Sequence, residues 1–590
     1  MHRLLLLPLL TGCALTAIAT RKASWPETEG ELSAPGISAT ATVARDEHGI
    51  PHIRAQDTKD LFYSIGFMHA QDRLFQADLT RRLAYGKLGE WRGEDVRDLD
   101  RFMGGLELRA RAQSFYDKAS PEVRAELEAY TKGLNVGAAA LPTLPVEYRL
   151  IGAEFEEWMP WDAMGAVWLN SWALAENPSV EVAAMNLRSL PAADMDLLFR
   201  YDPTEPPVGA SWEQARSLEV GGWTPEFQFF ERVLGGGDAS KQKAMPTSAL
   251  SAVPEVTAML DSYVSILGGS NNWIIGPSRS VDGKAIVVND PHLGQRVPSL
   301  WYPVEGKAGG VELTGMTIPG APFIVLGHNQ SVAWAFTNVM ADFVDLAILQ
   351  RDGEGYLLDG VHKDFRRVDV SLRLKGEKEP DRSVATWTEL GPVISDLNAP
   401  QVVVLQWHAL KVEDRSLDLF IGLNLAKTVD EALAAVSVPT VISQNLLVAD
   451  ATDFAWQPFG SFPNRVGWDG RLPYAASATG VGVQGWQPPM PGERNPERGY
   501  VVTANSRPVA MPDAWRISTH FIDDARFRRI SELIESREKH DVQSVQDIQY
   551  DRKDLNAARI LPVLLADVQT PDPDAARCLQ ILRDWDYVAS

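Results

Sequence analysis

Residues 37–55, ISATATVARDEHGIPHIRA, alternate apolar and polar side chains on either side of an Asp46–Gly49 turn. Alternation with period two sends successive side chains to opposite faces, so the stretch predicts a β-hairpin. The period then changes. From Thr58, apolar residues recur at Leu61, Ile65, Leu74, Leu79 and Leu83 in a long helical pattern, with Thr58 as its expected cap. Helical patterns continue to about residue 200. Between 234 and 269 the texture loosens. Leu234 is followed by Gly-Gly-Gly-Asp-Ala-Ser-Lys-Gln-Lys, which reads as exposed linker, and Pro254–Leu267 reads as a short helix. After Gly268-Gly269, short apolar or alternating runs predict strands at Trp273–Ile275, Ala285–Val288, Phe323–Leu326, Val332–Thr337 and Leu346–Leu349. Turns such as His328-Asn329-Gln330 and Asp352-Gly353 separate them. No internal repeat is visible. The order is helices, a spacer, then many strands.

Composition narrows the classes. The 590 residues allow several domains, at roughly 100–200 residues each. Lys and Arg number 56 against 78 Asp and Glu, a net charge of −22, which argues against nucleic acid or a polybasic membrane surface as partner. Hydrophobic residues at 45% and charged residues at 23% exclude bulk disorder. The two cysteines, Cys13 and Cys578, exclude a disulfide framework and a cysteine metal cluster. One basic residue, Arg3, precedes the run Leu4 to Leu10, so residues 1–23 read as an export signal. Leu10-Thr11-Gly12-Cys13 resembles a lipoprotein lipobox, in which Cys13 would carry a lipid anchor. The other reading is an ordinary secretory peptide. Either implies export, to the periplasm or to a lipid-anchored position on the membrane. No later stretch reaches the 18 or so apolar residues of a membrane span.

Two local patterns carry candidate chemistry, and a third does not. Gly268-Gly269-Ser270-Asn271-Asn272-Trp273 joins the spacer to the first strand; alone, Gly-Ser-Asn is a turn. Asp342, Val344 and Asp345 put two carboxylates and a carbonyl within four residues, which suits a hard cation with oxygen ligands or a solvated acidic turn. His48, His52 and His69 lack the spacing of a helical zinc site.

Taken in order, several motifs are similar to the penicillin acylase family of N-terminal-nucleophile hydrolases. They are VARDEHGIPHI, FMHAQDRLFQADLTRR and GKLGEW early on, then SNNWIIGPSRS from Ser270, VVNDPHLG from Val287, GHNQSVAWAFTN from Gly327 and DFVDL from Asp342. The resemblance covers roughly residues 40–550. It implies an α+β four-layer αββα sandwich. It also implies a precursor cut by itself at Gly269–Ser270 into an α-subunit region, 24–233, and a β-subunit region, 270–590, with the spacer 234–269 trimmed or left loose. Ser270 would then be nucleophile and, through its free α-amine, base. The amine's pKa of about 7.7–8.0 leaves a useful neutral fraction near pH 7. The resemblance further implies oxyanion donors at the Asn338 backbone N–H and the Asn505 side chain, and a steadying arginine at Arg529. His292 falls where the cephalosporin- and lactone-acylase branches have a histidine beside the nucleophile, and is expected to hydrogen-bond Ser270. One Ca²⁺ is implied at Asp342, Val344 and Asp345, with Glu181 and the Pro473 carbonyl completing it; Ser518 stands where a further carboxylate belongs.

Two departures qualify these expectations. Acyl-pocket positions that are aromatic in the phenylacetyl branch are Leu293, Leu326 and Met340 here, which favours an aliphatic acyl group. The family's larger subunit also runs beyond the ILRDWD segment, so the chain reads as shortened at its C-terminus. The expected activity is hydrolysis of a linear amide, such as a β-lactam side chain or an N-acyl homoserine lactone. The alternative is an inactive, shortened relative acting as a binding protein or without function. A conventional serine hydrolase lacks support, since no Gly-x-Ser-x-Gly elbow is present.

Overall fold

The computed structural model describes residues 24–589 except 176–177, 192–193, 196–197, 199–213, 215, 235–268, 295–296, 478–479, 509–516 and 519–520. The export signal with Cys13, and the expected spacer helix Pro254–Leu267, lie outside the described residues. Among the described residues, no helix is long and apolar enough to cross a membrane.

The N-terminal hairpin forms as its alternation predicts. Strands β1 (Thr42–Arg45) and β2 (Pro51–Ala55) pair antiparallel with Thr42 opposite Arg54. The Asp46 carboxylate closes the turn by accepting from the His48 and Ile50 N–H groups, each at 2.9 Å. Helix α1 (Thr58–Tyr85) follows, but its cap is Asp57, whose side chain accepts from Asp60 N at 2.9 Å. Thr58 lies one residue inside, where its hydroxyl donates to Glu126 instead. Most of α1 is buried, and it kinks at Arg73. It packs closely on helix α2 (Pro121–Ala139), because a Cβ at Gly133 would sit 1.8 Å from the Tyr63 carbonyl oxygen.

The strands downstream of Gly269 that position the site include β3 (Ser270–Ile275), β4 (Ile286–Pro291), β5 (Tyr302–Ala308), β6 (Val311–Thr317), β7 (Leu326–Asn329), β8 (Ala333–Asn338), β9 (Val344–Asp352), β10 (Gln401–Trp407), β11 (Gln444–Ala449), β12 (Phe454–Phe459), β13 (Glu493–Arg494) and β14 (Tyr500–Thr503). The expected strand at Phe323–Leu326 is displaced: pairing starts at Leu326, and Phe323–Val325 lead into it from the core. An apolar run marks burial and cannot by itself mark where the ladder begins.

A nine-stranded sheet runs β1-β2-β5-β6-β7-β8-β11-β12-β13. The β2–β5 pairing is parallel, His52 opposite Glu305, so the regions before and after the spacer share one sheet. A three-stranded sheet runs β14-β3-β4, and β9 and β10 belong to a separate five-stranded sheet.

Core packing defines four layers. One face of the large sheet, through Phe336, Leu446 and Val448, shares a core with α1 and with helix α3 (Ser416–Leu425). Its other face, through Ala335, Leu447 and Trp456, packs on Ile274 and Val501 of the small sheet. The small sheet's outer face, Trp273, Ile275 and Val502, is covered by Ile530 and Ile534 of helix α4 (Ala525–Glu535) and by Val545 and Ile548 of helix α5 (Val542–Gln549). Two sheets face to face between helices are the α+β, αββα arrangement that the motifs implied.

Candidate active site

Ser270 opens β3, the middle strand of the small sheet, at the rim of the two-sheet core. Asn505 lies two residues beyond β14, the neighbouring strand, with φ of 62°. That left-handed conformation is one asparagine tolerates better than other side-chain-bearing residues. From there the Asn505 Oδ1 accepts from Ser270 N at 2.6 Å, and its Nδ2 donates to Ser270 Oγ at 3.0 Å. The same Nδ2 donates to the Asn338 carbonyl at 2.9 Å. Asn338 ends β8 in the facing sheet, so one buried amide ties the sheets together at Ser270. The structure brings Ser270, Asn338 and Asn505 together, with the Asn338 carbonyl, not the N–H named in the expectation, engaged by Asn505.

The arginine at this centre is Arg526, not Arg529. Arg526 Nη1 donates to the Ser270 carbonyl at 2.9 Å and to Asn271 Oδ1 at 2.7 Å. Its Nη2 donates to the Ala504 carbonyl at 3.0 Å and to Asn505 Oδ1 at 3.1 Å. Arg529 lies about 4.5 Å further along the helix axis and pairs with Asp551 at 2.8–2.9 Å. The run Arg526-Phe-Arg-Arg offers three guanidinium groups, and only the helix start at Ala525 decides which reaches the strand end. Arg526 also explains Gly269, since a Cβ there would stand 2.5 Å from Arg526 Nη2 and push it off the site.

His292 is adjacent but differs from expectation. Its backbone N–H donates to the Gly269 carbonyl at 3.0 Å. Its ring Nε2 lies 3.0 Å from Asp290 Oδ2 and 3.4 Å from Asn271 Nδ2, and makes no hydrogen bond to Ser270. The side chain is directed along its own strand end to Asp290, a residue the sequence reading did not single out.

A cavity of about 290 Å³ opens beside Ser270. Leu293, Leu326 and Met340 line it as expected, with Phe323, Phe336 and Phe420. The Phe323 and Phe420 rings stack at 4.2 Å and bound one side. No charged side chain lines the cavity among the described residues.

The expected cation ligands occupy one buried region. Glu181, Asp342 and Asp345 are all at most 1% exposed. Between the two aspartates stands Arg465, 2.8 Å from Asp342 and 3.1 Å from Asp345. His408 Nε2 meets Asp345 Oδ2 at 2.5 Å. Burial raises the Asp345 pKa, but Arg465 and a hydrogen bond from His408 outweigh it and hold Asp345 below its usual value. Burial likewise depresses His408, so neutral imidazole faces ionised Asp345. Glu181 is pushed well above its usual value by burial and by Asp345 and Asp342. Both Glu181 carboxylate oxygens are buried without a hydrogen-bond partner. Pro473 is buried and precedes Tyr474, which pairs with Ala347 of β9. As the side chains stand, no three acidic, histidine or cysteine groups among the described residues converge on one metal position. The unpartnered Glu181 nonetheless fits a cation. With Glu181 ionised, three carboxylates and one guanidinium would leave two negative charges, which a divalent ion would balance.

A sequence model of the family described as penicillin amidase matches residues 40–590. The acyl-homoserine lactone acylase QuiP of Pseudomonas aeruginosa is 29% identical over 582 residues, covering 93% of this chain and 65% of its own length. The penicillin acylase 2 proenzyme of Pseudomonas sp. strain SE83 is 30% identical over 545 residues, covering 89% of this chain and 66% of its own. The penicillin G acylase of Escherichia coli is 26% identical over 606 residues, covering 93% and 70%. The chain thus spans about two thirds of the length of these relatives.

Proposed function

The chain belongs to the penicillin amidase family, and from that premise we propose that it is a precursor that cuts itself at Gly269–Ser270 and then hydrolyses N-acyl amides with an apolar acyl group. One observation carries the reading: the nitrogen and the hydroxyl of Ser270 are both held by the Asn505 side-chain amide, at 2.6 and 3.0 Å. A structural serine has no need of that pairing, whereas an N-terminal nucleophile needs its own nitrogen fixed beside its own oxygen.

Maturation begins when Ser270 Oγ attacks the Gly269 carbonyl carbon. The C–N bond breaks as an ester forms, and the proton moves to the freed amine. Water then hydrolyses the ester, leaving Gly269 as a carboxylate and Ser270 with a free α-amine. The negative charge developing on the Gly269 oxygen faces the His292 N–H that already donates to it.

In turnover, Ser270 Oγ attacks the substrate carbonyl while the α-amine accepts its proton. The tetrahedral oxyanion is met by Asn505 Nδ2 and the Asn338 N–H, one such donor contributing about 3–4 kcal/mol. The amine leaves with the proton, and water hydrolyses the acyl ester by the same path. Arg526 acts on this chemistry by fixing the Ser270 carbonyl and Asn505 Oδ1. The acyl chain lies in the apolar cavity, where each buried methylene contributes about 0.8 kcal/mol. Calcium, held by Glu181, Asp342 and Asp345 with carbonyls of Val344 and Pro473, would supply positive charge to a buried acidic cluster and no chemistry at Ser270.

The test is Ser270→Ala against wild type. Wild type should yield a fragment beginning Ser270-Asn271-Asn272, and its kcat/KM should rise from acetyl to medium-chain amides on one fixed amine. Ser270→Ala should stay one chain without activity. Normal cutting of that variant, or a flat acyl-length profile, contradicts the corresponding half of the reading.

A further inference from the structure

We infer that His69, Arg73 and Gln76 of α1 are positioning residues: they hold the two backbone segments that form one wall of the cavity, and so set how much affinity each added acyl carbon contributes. The inference rests on the acylase reading of the cavity.

The wall begins where a ladder ends. β5 and β6 pair from Ala308 opposite Val311 to Tyr302 opposite Thr317. Beyond that pair the two segments part. Leu300 and Trp301 on one, and Ile318 and Ala321 on the other, line the cavity. The β5–β6 ladder no longer fixes them there, so other groups must anchor their backbones.

The anchors stand on α1 at positions i, i+4 and i+7, the spacing of one helix face. Gln76, 5% exposed, donates from Nε2 to the Ser299 carbonyl at 3.0 Å. Arg73 Nη1 donates to the same carbonyl at 3.3 Å and to Gln76 Oε1 at 3.4 Å. Arg73 leaves helical geometry at the kink, with φ −142° and ψ 18°, and its guanidinium stands 5.6 Å from the Tyr302 ring centroid. Ser299 in turn accepts at Oγ from the Trp301 N–H at 3.2 Å.

His69 reaches both segments. It is fully buried, with Tyr130 of α2 and Thr317. The Gly320 N–H donates to the Tyr130 hydroxyl at 3.1 Å, which lies 2.8 Å from His69 Nδ1. His69 Nε2 lies 2.8 Å from Thr317 Oγ1, which donates to the Tyr302 carbonyl at 2.8 Å. A neutral ring protonated at Nε2 satisfies every member of this relay in one direction. Burial pushes the His69 pKa down to about 3, which keeps the ring neutral. The relay thus ties Gly320, within one wall segment, to Tyr302, next to Trp301 in the other. An apolar residue at any of the three positions would fill space without fixing the direction of a segment.

Chain length converts this hold into a readout. Each methylene seated against a fixed wall can add roughly a factor of four in affinity. A wall free to move returns less per methylene. General destabilisation instead lowers the competent fraction and weakens every ligand by one factor.

Butanoate, hexanoate, octanoate and decanoate, as product acids, are titrated by calorimetry into the processed wild type and four variants. Gln76→Met keeps the length and removes the amide. Arg73→Met removes the guanidinium, Arg73→Lys keeps a donor, and His69→Phe keeps a ring without its nitrogens. The ratio of Kd for butanoate to Kd for decanoate should fall about fivefold in Gln76→Met, Arg73→Met and His69→Phe. Arg73→Lys should stay within about twofold of wild type. Ratios within about twofold of wild type in both methionine variants overturn the inference, even if all four acids bind more weakly. An unchanged ratio in His69→Phe overturns the part assigned to His69. Should Gln76→Met not fold, an unchanged ratio in Arg73→Met, at a partly exposed position, overturns the inference alone. Equal falls in Arg73→Lys and Arg73→Met also overturn it, because the hydrogen bond to Ser299 is then not what holds the wall. If the ratio falls but wild type hydrolyses no amide, the acylase reading fails and the role of the wall stands.

Discussion

Asn505 offers the sharpest separation of chemistry from structure. Its side chain accepts from Ser270 N and from Arg526, and donates to Ser270 Oγ and to the Asn338 carbonyl. Its backbone is left-handed, φ 62°. Asn505→Ala removes all four bonds and also forces alanine into a conformation that costs about 1–2 kcal/mol. Asn505→Gly removes the same bonds but relieves the backbone. The lost oxyanion donor should reduce kcat by about 10²–10³-fold in both, and self-cutting should slow in both, since Ser270 loses its holder. Stability should differ between them by about 1 kcal/mol in favour of glycine. The assays are the rate of appearance of the two fragments on a denaturing gel, kcat on a decanoyl amide, and thermal melting of each variant. A glycine variant that cuts and turns over within fivefold of wild type would refute the assigned role. Alanine losing activity while glycine keeps it would show that backbone strain, not the amide, was being measured.

Other expectations follow from the same contacts. Arg526→Lys should impair cutting and turnover by tenfold or more, because an ammonium cannot reproduce the planar fork across Ser270 and Asn505, whereas Arg529→Lys should leave both nearly unchanged; equal effects would reverse the assignment. Chelator should lower the melting temperature, added Ca²⁺ should restore it, and Glu181→Gln should remove that response; a melting temperature indifferent to both additions rules out the ion. Asp100, buried against the Leu88 and Gly89 N–H groups, has its pKa pushed up to about 7 by burial. Its folded value exceeds the unfolded one near 4, so the fold retains a proton that the unfolded chain releases. This contribution therefore weakens stability as pH rises from about 4 to 7, by at most about 4 kcal/mol. Asp100→Asn should be less stable at pH 5 but flatter between pH 5 and 8, as read by melting at each pH; an unchanged slope contradicts it.

The chain's own pattern determined a good deal of this protein. Alternation at 37–55 and helical spacing from Thr58 specified a hairpin and a helix, because each period matches one backbone geometry. The ordered motifs around Ser270, Asn338 and Asn505 named the central residues, and the cavity's Leu293, Leu326 and Met340 were legible as apolar positions. Other features were decided only by tertiary structure. Three arginines within four residues are equivalent in a string, and the start of the helix at Ala525 alone brings Arg526 to the strand end. His292 occupied the expected position, yet its ring is aligned on Asp290 rather than Ser270. Arg465 lies 120 residues from Asp345, and no local spacing connects them. Local periodicity reports the backbone a segment adopts. Which polar groups remain unmet, and what they therefore bind, depends on partners that folding brings from distant parts of the chain.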